Sequence, residues 1–395
     1  MQTSNKQIPM QDLESVKAPL DEASFLPPDF YGRDSHFVLE KERVLKNNWL
    51  VVGRWEQVEK RGDYFTIDLL EEPLLIVRDK NKVKALSNVC LHRAGPVAKG
   101  SGNRKSFTCP YHLWNYALDG SFKASPFMDM AKNFNKKNCS LNEFPVTEWQ
   151  GFIFVNLSKN AAPLVLGRIG GIDEIVSPYN LNKLKRLEPI HFSCPWDWKI
   201  SVENVMEFYH YPGVHGDTVG ASFDLQNSTD AEFEKMVETL GAKNQYKAGQ
   251  GKPYAYGMQS SKQSLKIPGM PAYELSLHLN DKQIGVHVFP NLSLIITPTF
   301  TVWPHIIIES ENHHRLEYIL LVHPEFAAHA DHHQAREHLR DMIKNIHEED
   351  MPILAHVAKG LRSENHVAGR ICRLEYIIWQ FHNWMLEQLT ILREK

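Results

Sequence analysis

The sequence predicts an α+β protein in two parts: a small antiparallel β-sandwich, then a larger α+β domain whose antiparallel sheet is flanked by helices. Two observations lead there. Short β-rich runs, punctuated by turn residues, crowd positions 49 to 157. A second block of strands, 283 to 322, is followed by two long helical patterns at about 328 to 362 and 367 to 391. The character of the chain changes after Ala161. The expected division is therefore an arm and helix over 1–46, a small domain over 47–160 and a larger one over 161–395. With 395 residues, 43% of them hydrophobic, the chain can fill two cores.

The elements follow in order. Residues 1 to about 24 read as a loosely held arm, ended by Pro27-Pro28. Asp34 or Ser35 can cap a helix to about Asn47, with Phe37, Val38, Val44 and Leu45 on its apolar side. Strands are expected at 49–58, 64–70, 73–77 and 83–89, separated by Arg61-Gly62-Asp63 and Asp79-Lys80-Asn81. Leu118-Asp119-Gly120 reads as a hairpin turn and 151–157 as a buried strand. Residues 164–185 read as helix and loop, 191–200 as a strand, with a helix from near Val202. Residues 227–268, rich in Lys, Gln, Gly and Ser, read as a surface excursion, either a lid or a solvated insertion. Strands return at 283–289, 292–297, 301–309 and 315–322.

Bulk properties narrow the function. A net charge of −3 offers neither a nucleic-acid face nor a polyanionic surface. Five scattered cysteines make no disulfide framework and suit a reducing compartment. The start, Met1-Gln2-Thr3-Ser4-Asn5-Lys6, lacks the apolar core of a signal peptide. No apolar run approaches the ~20 residues of a membrane span. The expectation is a soluble, cytoplasmic protein. His313-His314 and His332-His333 lie in polar surroundings and read as solvated.

Two short segments carry metal-ligand patterns. Cys90-Leu91-His92 and Cys109-Pro110-Tyr111-His112 place two thiols and two imidazoles on two loops that a strand pair can bring together. Such a set holds zinc, or a [2Fe–2S] cluster with two Cys on one iron and two His on the other. Glu203, Glu207 and His210 recur at i, i+4 and i+7, one face of a helix. Pro212-Gly213 breaks that helix and lets His215 swing back towards His210. Two imidazoles at a helix end suit Fe(II), with a carboxylate from elsewhere. Along the helix at 339–361, Leu339, Ile343, Ile346, Ile353, Val357 and Leu361 form an apolar stripe with one gap, filled by Asp350. A carboxylate in such a stripe is costly unless paired or metal-bound; a cap at a bend near Pro352 is the other reading. Glu348 and Glu349 lie off the stripe and read as solvated.

These segments, in this order, resemble the catalytic α subunit of the Rieske non-haem iron oxygenases, the aromatic ring-hydroxylating dioxygenase family. The resemblance rests on Cys90-Leu91-His92-Arg93-Ala94-Gly95, Cys109-Pro110-Tyr111-His112-Leu113-Trp114, Glu207-x-x-His210-x4-His215 and the Glu349-Asp350 helix leading to Lys359-Gly360-Leu361-Arg362-Ser363. Phe289-Pro290-Asn291-Leu292 and Trp303-Pro304 are similar to the family's catalytic sheet. The resemblance implies a Rieske [2Fe–2S] cluster on Cys90, His92, Cys109 and His112, and a mononuclear Fe(II) on His210, His215 and Asp350. It implies that Glu207 bridges the centres between subunits of a homotrimer, meeting His112 of a neighbour. It also implies O2 as co-substrate and electrons from NAD(P)H through a separate reductase, with or without a ferredoxin.

Three positions depart from the family. Glu207 stands where many relatives have Asp, Leu113 where Gly is usual, and Ala358 where Gln is common. The expected reaction is hydroxylation of a small organic molecule, an aromatic compound first, with monooxygenation or N-demethylation of a quaternary ammonium compound as the alternative. Phe208, Phe223, Phe289, Phe300 and Trp303 could line an apolar cavity or simply fill the core. The rival from another class is a Rieske electron carrier without oxygenase chemistry.

Overall fold

A computed structural model describes residues 10–158, 170–220, 253–260, 270–271 and 282–391. The chain divides into two compact units, Lys46–Leu164, and Met1–Leu45 together with Val165–Lys395.

Among its described residues the smaller unit has eleven short strands. They are β1 (Leu50–Arg54), β2 (Asp63–Leu69), β3 (Glu72–Asp79), β4 (Lys82–Ser87), β5 (Ser101–Asn103), β6 (Phe107–Thr108), β7 (Asn115–Tyr116), β8 (Phe122–Ala124), β9 (Glu143–Phe144), β10 (Val146–Trp149) and β11 (Phe152–Val155). They form three antiparallel sheets, in the orders β5-β2-β3-β4-β9, β1-β11-β10 and β6-β7-β8. Leu74, Leu75, Ile76 and Val77 of β3 are all buried, because the strand is covered on both faces. The β6–β8 ribbon and the ligand loops share one core, where Phe107, Trp114 and Tyr116 pack with Tyr64, Leu75, Val77 and Leu86. Its turn needs Gly120, whose φ is +82°. Only the first half of the strand expected at 49–58 pairs. Trp55–Val58 is a 3₁₀ turn instead, tied back where the Gln57 side chain accepts from the Arg54 N–H at 2.8 Å.

The larger unit carries the helices. They are α1 (Met10–Lys17), α2 (Asp34–Glu40), α3 (Gly170–Val176), α4 (Trp198–Val205), α5 (Tyr211–Val214), α6 (Pro324–Ala328), α7 (His333–Gly360) and α8 (Tyr376–Ile391). Its strands are β12 (Lys185–Arg186), β13 (Ile190–Cys194), β14 (Tyr254–Ser260), β15 (Lys282–Val288), β16 (Leu292–Ile296), β17 (Phe300–Ser310) and β18 (His313–Val322). The sheet runs β12-β18-β17-β16-β15-β14, and β13 also pairs with β18. Opposed residues on neighbouring strands share a face. His287 opposes Ser293, Leu292 opposes His305, and Pro304 opposes Tyr318, so His287, Ser293, Pro304 and Tyr318 form one row. Tyr318 stacks on His347 of α7, which identifies the face that meets this helix. Trp303 opposes Ile319 and points to the other face.

Several expectations change. The arm is not loose where it is described: Val16, Leu20, Ala23 and Leu26 are buried, and the side chains of Trp379 and Asn383 donate to the carbonyls of Ala18 and Val16. Arg33, not Asp34 or Ser35, holds the cap position of α2, and Val38 is 58% exposed. The strand expected at 191–200 stops at Cys194, because Asp197 caps α4 by accepting from the Lys199 N–H at 2.8 Å. The Lys199 ammonium is fully buried and held by Glu40 and Asp197, which ties α2 to α4. Within the expected excursion, Tyr254–Ser260 is strand β14, paired along its length with β15. Apart from Pro253, the rest of 227–268 falls outside the described residues, as does Phe223. The second long helix begins at Tyr376 rather than 367.

His314 is buried rather than solvated. Its Nδ1–H donates to the Trp196 carbonyl at 3.1 Å, and its Nε2 accepts from the Ser201 hydroxyl at 2.9 Å. Trp196 Nε1–H in turn donates to that hydroxyl oxygen. Neutral imidazole satisfies every atom of this loop. Burial pushes the His314 pKa down to about 4. The folded form then resists a proton that the unfolded chain takes up near 6.5, so the stability is whole above ~6.5 and is lost as pH falls towards 4. Thermal unfolding midpoints measured from pH 7 to 4 should fall in that window, and His314→Gln should flatten the decline.

Candidate metal centres

The two Cys/His loops have the same backbone design. The Cys90 N–H donates to Gly95 O at 2.8 Å, and the Cys109 N–H to Trp114 O at 2.9 Å. Within each loop the fourth residue after the Cys, Ala94 or Leu113, donates back to the Cys carbonyl. That residue takes a positive φ, +54° for Ala94 and +61° for Leu113. This is left-handed geometry, so Leu113 keeps the loop shape that glycine would adopt without strain. Both thiols are buried. The imidazoles of His92 and His112 lie edge to face with centroids 4.4 Å apart, and His92 stacks on Trp114. His92 Nδ1 is buried with no hydrogen-bond partner. Two buried thiols and an imidazole nitrogen left without a proton partner fit a metal cluster and are costly without one. The Tyr116 hydroxyl lies 3.2 Å from both Cys90 Sγ and the Leu91 N–H.

The larger unit brings His210, His215 and Asp350 together. One ligand atom from each lies within 4.8 Å of the others. Asp350 Oδ1 is 3.7 Å from His210 Nε2 and 3.2 Å from His215 Nε2. The local fold differs from the expected continuous helix. Helix α4 ends at Val205, and Pro212 sits inside the short helix α5 rather than breaking one. The break lies at 206–209, and Glu207 closes it. Its Oε2 accepts from the Tyr209 and His210 N–H groups, and its Oε1 is 2.5 Å from His210 Nδ1.

Each ligand is oriented by an outer partner. Glu349 is not solvated: its Oε2 is 2.7 Å from His215 Nδ1 and accepts from the Thr218 hydroxyl at 2.8 Å. With both Nδ1 atoms engaged, both Nε2 atoms turn to the same point. Asp350 lies inside a helix that continues through Pro352, so it is no cap. Its Oδ2 is 3.3 Å from His347 Nδ1, and Asn204 Nδ2 donates to its Oδ1 at 3.4 Å. Burial alone would raise the Asp350 pKa, but hydrogen bonds from His215 and His347, with nearby imidazole charge, hold it well below the usual carboxylate range. The carboxylate therefore stays ionised although buried. Beyond Asp350 the apolar stripe shifts register. Leu354 and Ala358 are buried, while Ile353 and Val357 are more than two-fifths exposed. Glu349, His347, Thr218 and Asn204 all escaped the sequence reading. The only signal was their closeness in sequence to the ligands. Two imidazoles and one carboxylate with free faces form a donor set that fits Fe(II).

Residues 48–143 match the Rieske [2Fe-2S] domain. Residues 181–391 match the ring hydroxylating alpha subunit (catalytic domain). The chain belongs to the ring-hydroxylating α-subunit family. The carnitine monooxygenase oxygenase subunit of Acinetobacter baumannii is 34% identical over 206 residues, 51% of this chain and 55% of that protein. Chloroplastic choline monooxygenase of Beta vulgaris is 26% identical over 382 residues, 94% of this chain and 78% of that protein. The matched region spans about half the length of the first of these relatives. A solved quaternary ammonium Rieske monooxygenase has the same fold, with TM-score 0.78 at 23% identity over 97% of this chain and 99% of that one.

Outer-sphere carboxylates typically change metal affinity by about ten- to hundredfold. Glu349→Ala should therefore weaken Co(II) binding to iron-free protein by that factor in equilibrium dialysis, with an unchanged circular dichroism spectrum. Leu113→Gly removes a left-handed leucine worth ~1 kcal/mol. The thermal midpoint of the smaller unit should rise, with the visible cluster spectrum as the check on the site.

Proposed function

We propose that the chain is the oxygenase component of a Rieske monooxygenase that hydroxylates a quaternary ammonium compound, with electrons from NAD(P)H through a separate reductase. The observation that carries this reading is the convergence of His210, His215 and Asp350 in a chain that also presents the Cys90/His92/Cys109/His112 loops. A carrier that only relays electrons has no use for a second metal centre. In this reading Cys90, His92, Cys109 and His112 hold the [2Fe–2S] cluster, and His210, His215 and Asp350 hold Fe(II). When bound, these groups supply single electrons and O2 activation, so that C–H, O2, two electrons and two protons give C–OH and water.

The chain's own residues set the stage for that chemistry. Glu207 and Glu349 fix the rotations of His210 and His215. His347 and Asn204 hold the two oxygens of Asp350. Tyr211 and Phe208 pack edge to face beside these ligands, and Tyr318 stacks on His347. Aromatic faces near the centre suit a cation such as a trimethylammonium group. The relatives named above are monooxygenases of carnitine and choline, so the quaternary ammonium alternative displaces the aromatic substrate expected first.

A closed ring of three chains completes the proposal, with His112 of one subunit meeting Glu207 of the next. Each unit has an apolar surface suited to such docking. Leu91, Tyr111 and Leu113 are exposed around the cluster loops, and Tyr209 and Ile353 are exposed near Glu207 and Asp350. No helix among the described residues is long and apolar enough to cross a membrane, and the proposed setting is the cytoplasm.

The test is O2 consumption and product analysis with an added reductase, on carnitine, choline, glycine betaine and benzoate. Turnover of a quaternary ammonium compound should dominate. In His210→Ala, product should fall by at least about a hundredfold while the cluster remains reducible. Preferred hydroxylation of benzoate would replace the substrate class. Electron transfer to a partner with no O2-dependent product on any compound would replace the enzyme reading altogether. Sedimentation should give the mass of three chains.

A further inference from the structure

The two most exposed large apolar side chains among the described residues lie three positions apart in the smaller unit. Phe127 is 89% exposed and Met130 86%. Phe127 stands at the cap of the 3₁₀ turn Met128–Met130, with φ +60°. A phenylalanine in the left-handed region is strained, and such a turn keeps its shape only where neighbours hold it. Here Phe122, Met128 and Phe134 hold it by packing against the core of Trp114 and Tyr116. An anchored turn thus presents a bulky ring and a thioether to water. Neither gains burial within the chain, which suits a contact with another protein.

The charge along this segment has one sign. Lys123, Lys132, Lys136 and Lys137 are exposed, and Asp129 is the one acid between Phe122 and Ser140. The whole chain carries −3, so the segment runs against the net charge. Exposed apolar groups among lysines complement an acidic surface with an apolar centre. The segment also reaches the cluster loops. Phe122 and Phe134 meet each other edge to face at 6.0 Å between centroids, and they meet the Trp114 ring at 5.1 and 5.7 Å. Trp114 stacks on His92 at 5.1 Å with the planes 8° apart. Trp114 alone therefore separates the rings of this segment from a cluster ligand. His112 rests on Tyr111 instead.

We propose that the segment from Phe122 to Asn138 is the docking face for an acidic electron-carrier protein, which passes single electrons to the cluster on its His92 side. At each transfer the carrier is oxidised by one electron and the cluster is reduced by one, with no bond made or broken. The inference rests on the oxygenase reading and deepens it, because it gives the electron donor a place to bind. Entry on the His92 side leaves His112 to the neighbouring subunit.

Stopped-flow reduction of the oxidised holoenzyme tests this with two donors, a reduced plant-type [2Fe–2S] ferredoxin as the acidic protein and reduced methyl viologen as a small cation. The ferredoxin lies well below a Rieske cluster in potential, so its transfer is downhill. Its rate should fall as salt rises. The triple substitution Lys132→Glu, Lys136→Glu, Lys137→Glu should slow it by about tenfold or more. The double substitution Phe127→Ser, Met130→Ser should slow it by about tenfold. Methyl viologen should reduce each variant at least as fast as wild type, which shows the cluster and fold to be intact. Ferredoxin that fails to reduce the wild-type cluster, or that reduces the variants at the wild-type rate, overturns the docking face; product formed with methyl viologen as donor then leaves the oxygenase reading in place. Reduction that depends on the segment, with no O2-dependent product on any compound, keeps the face and removes the oxygenase reading. Loss of the three-chain mass in the Phe127→Ser, Met130→Ser variant makes the face a contact between copies and overturns the proposal as well.

Discussion

The turn closed by Glu207 is the constraint on which the larger site depends. Helix α4 ends at Val205, and the chain must reverse within a few residues to place His210. One carboxylate organises this reversal by taking two backbone N–H groups and the outer nitrogen of the imidazole. A shorter side chain would have to move the backbone to make the same three contacts. Glutamate in place of the family's frequent aspartate is therefore matched to this turn. The constraint extends to His215, which α5 places five residues on and which Glu349 holds from a different helix. Two carboxylates from different elements thus rotate two imidazoles onto one point, and that point adjoins Asp350.

Burial works against this arrangement, and hydrogen bonding reverses it. A carboxylate removed from water tends to protonate, and a protonated Asp350 would be a poor ligand. His347 and Asn204 lie within hydrogen-bonding reach of its two oxygens, and the imidazoles beside it favour the ionised form. His347 is itself positioned by Tyr318 of β18, so the sheet reaches the carboxylate through one stacked ring. The same row across the sheet runs through His287 to Ala255. One sheet face therefore supports Asp350 through His347 and buries His287 further along the same row.

Residues that stand out by type and spacing were legible in the sequence as candidates, and those engaged by distant partners were not. The loop pairs Cys90/His92 and Cys109/His112 announce themselves, as does Asp350, because a carboxylate in an apolar stripe demands a reason. Glu349 gives no such sign. It lies off the stripe, and its partners Thr218 and His215 come from another helix and the turn after it. His314 looked solvated because its sequence neighbours are polar, yet its β18 position places it under Trp196 and Ser201. Trp198 to Ile200 looked like strand because the residues are bulky. Asp197 overrides that preference by capping a helix. Among the aromatic residues expected to line a cavity, Phe289 packs on Phe381 and Trp384, and Trp303 faces away. Strand parity, which needs the pairing register, decides this for Trp303.

The smaller unit uses the backbone where the larger one uses side chains. In each ligand loop, N–H groups fold back on carbonyls within six residues, and a left-handed residue completes the turn. Each loop is therefore shaped locally, and the ribbon of β6 to β8 has only to bring the two together. Tyr116, on that ribbon, adds the contact that is not local. Its hydroxyl has one proton, and it lies 3.2 Å from a Cys90 sulfur that must be thiolate to bind metal. A thiolate can only accept, so the tyrosine must donate to it. Burial, with Cys90 beside it, pushes the Tyr116 pKa well above its ordinary value, so that donor is not lost to ionisation. A fixed hydroxyl dipole on one sulfur offsets negative charge there and favours the reduced form of any cluster the loops hold. Tyr116 thus couples the packing of the ribbon to the ease with which electrons arrive.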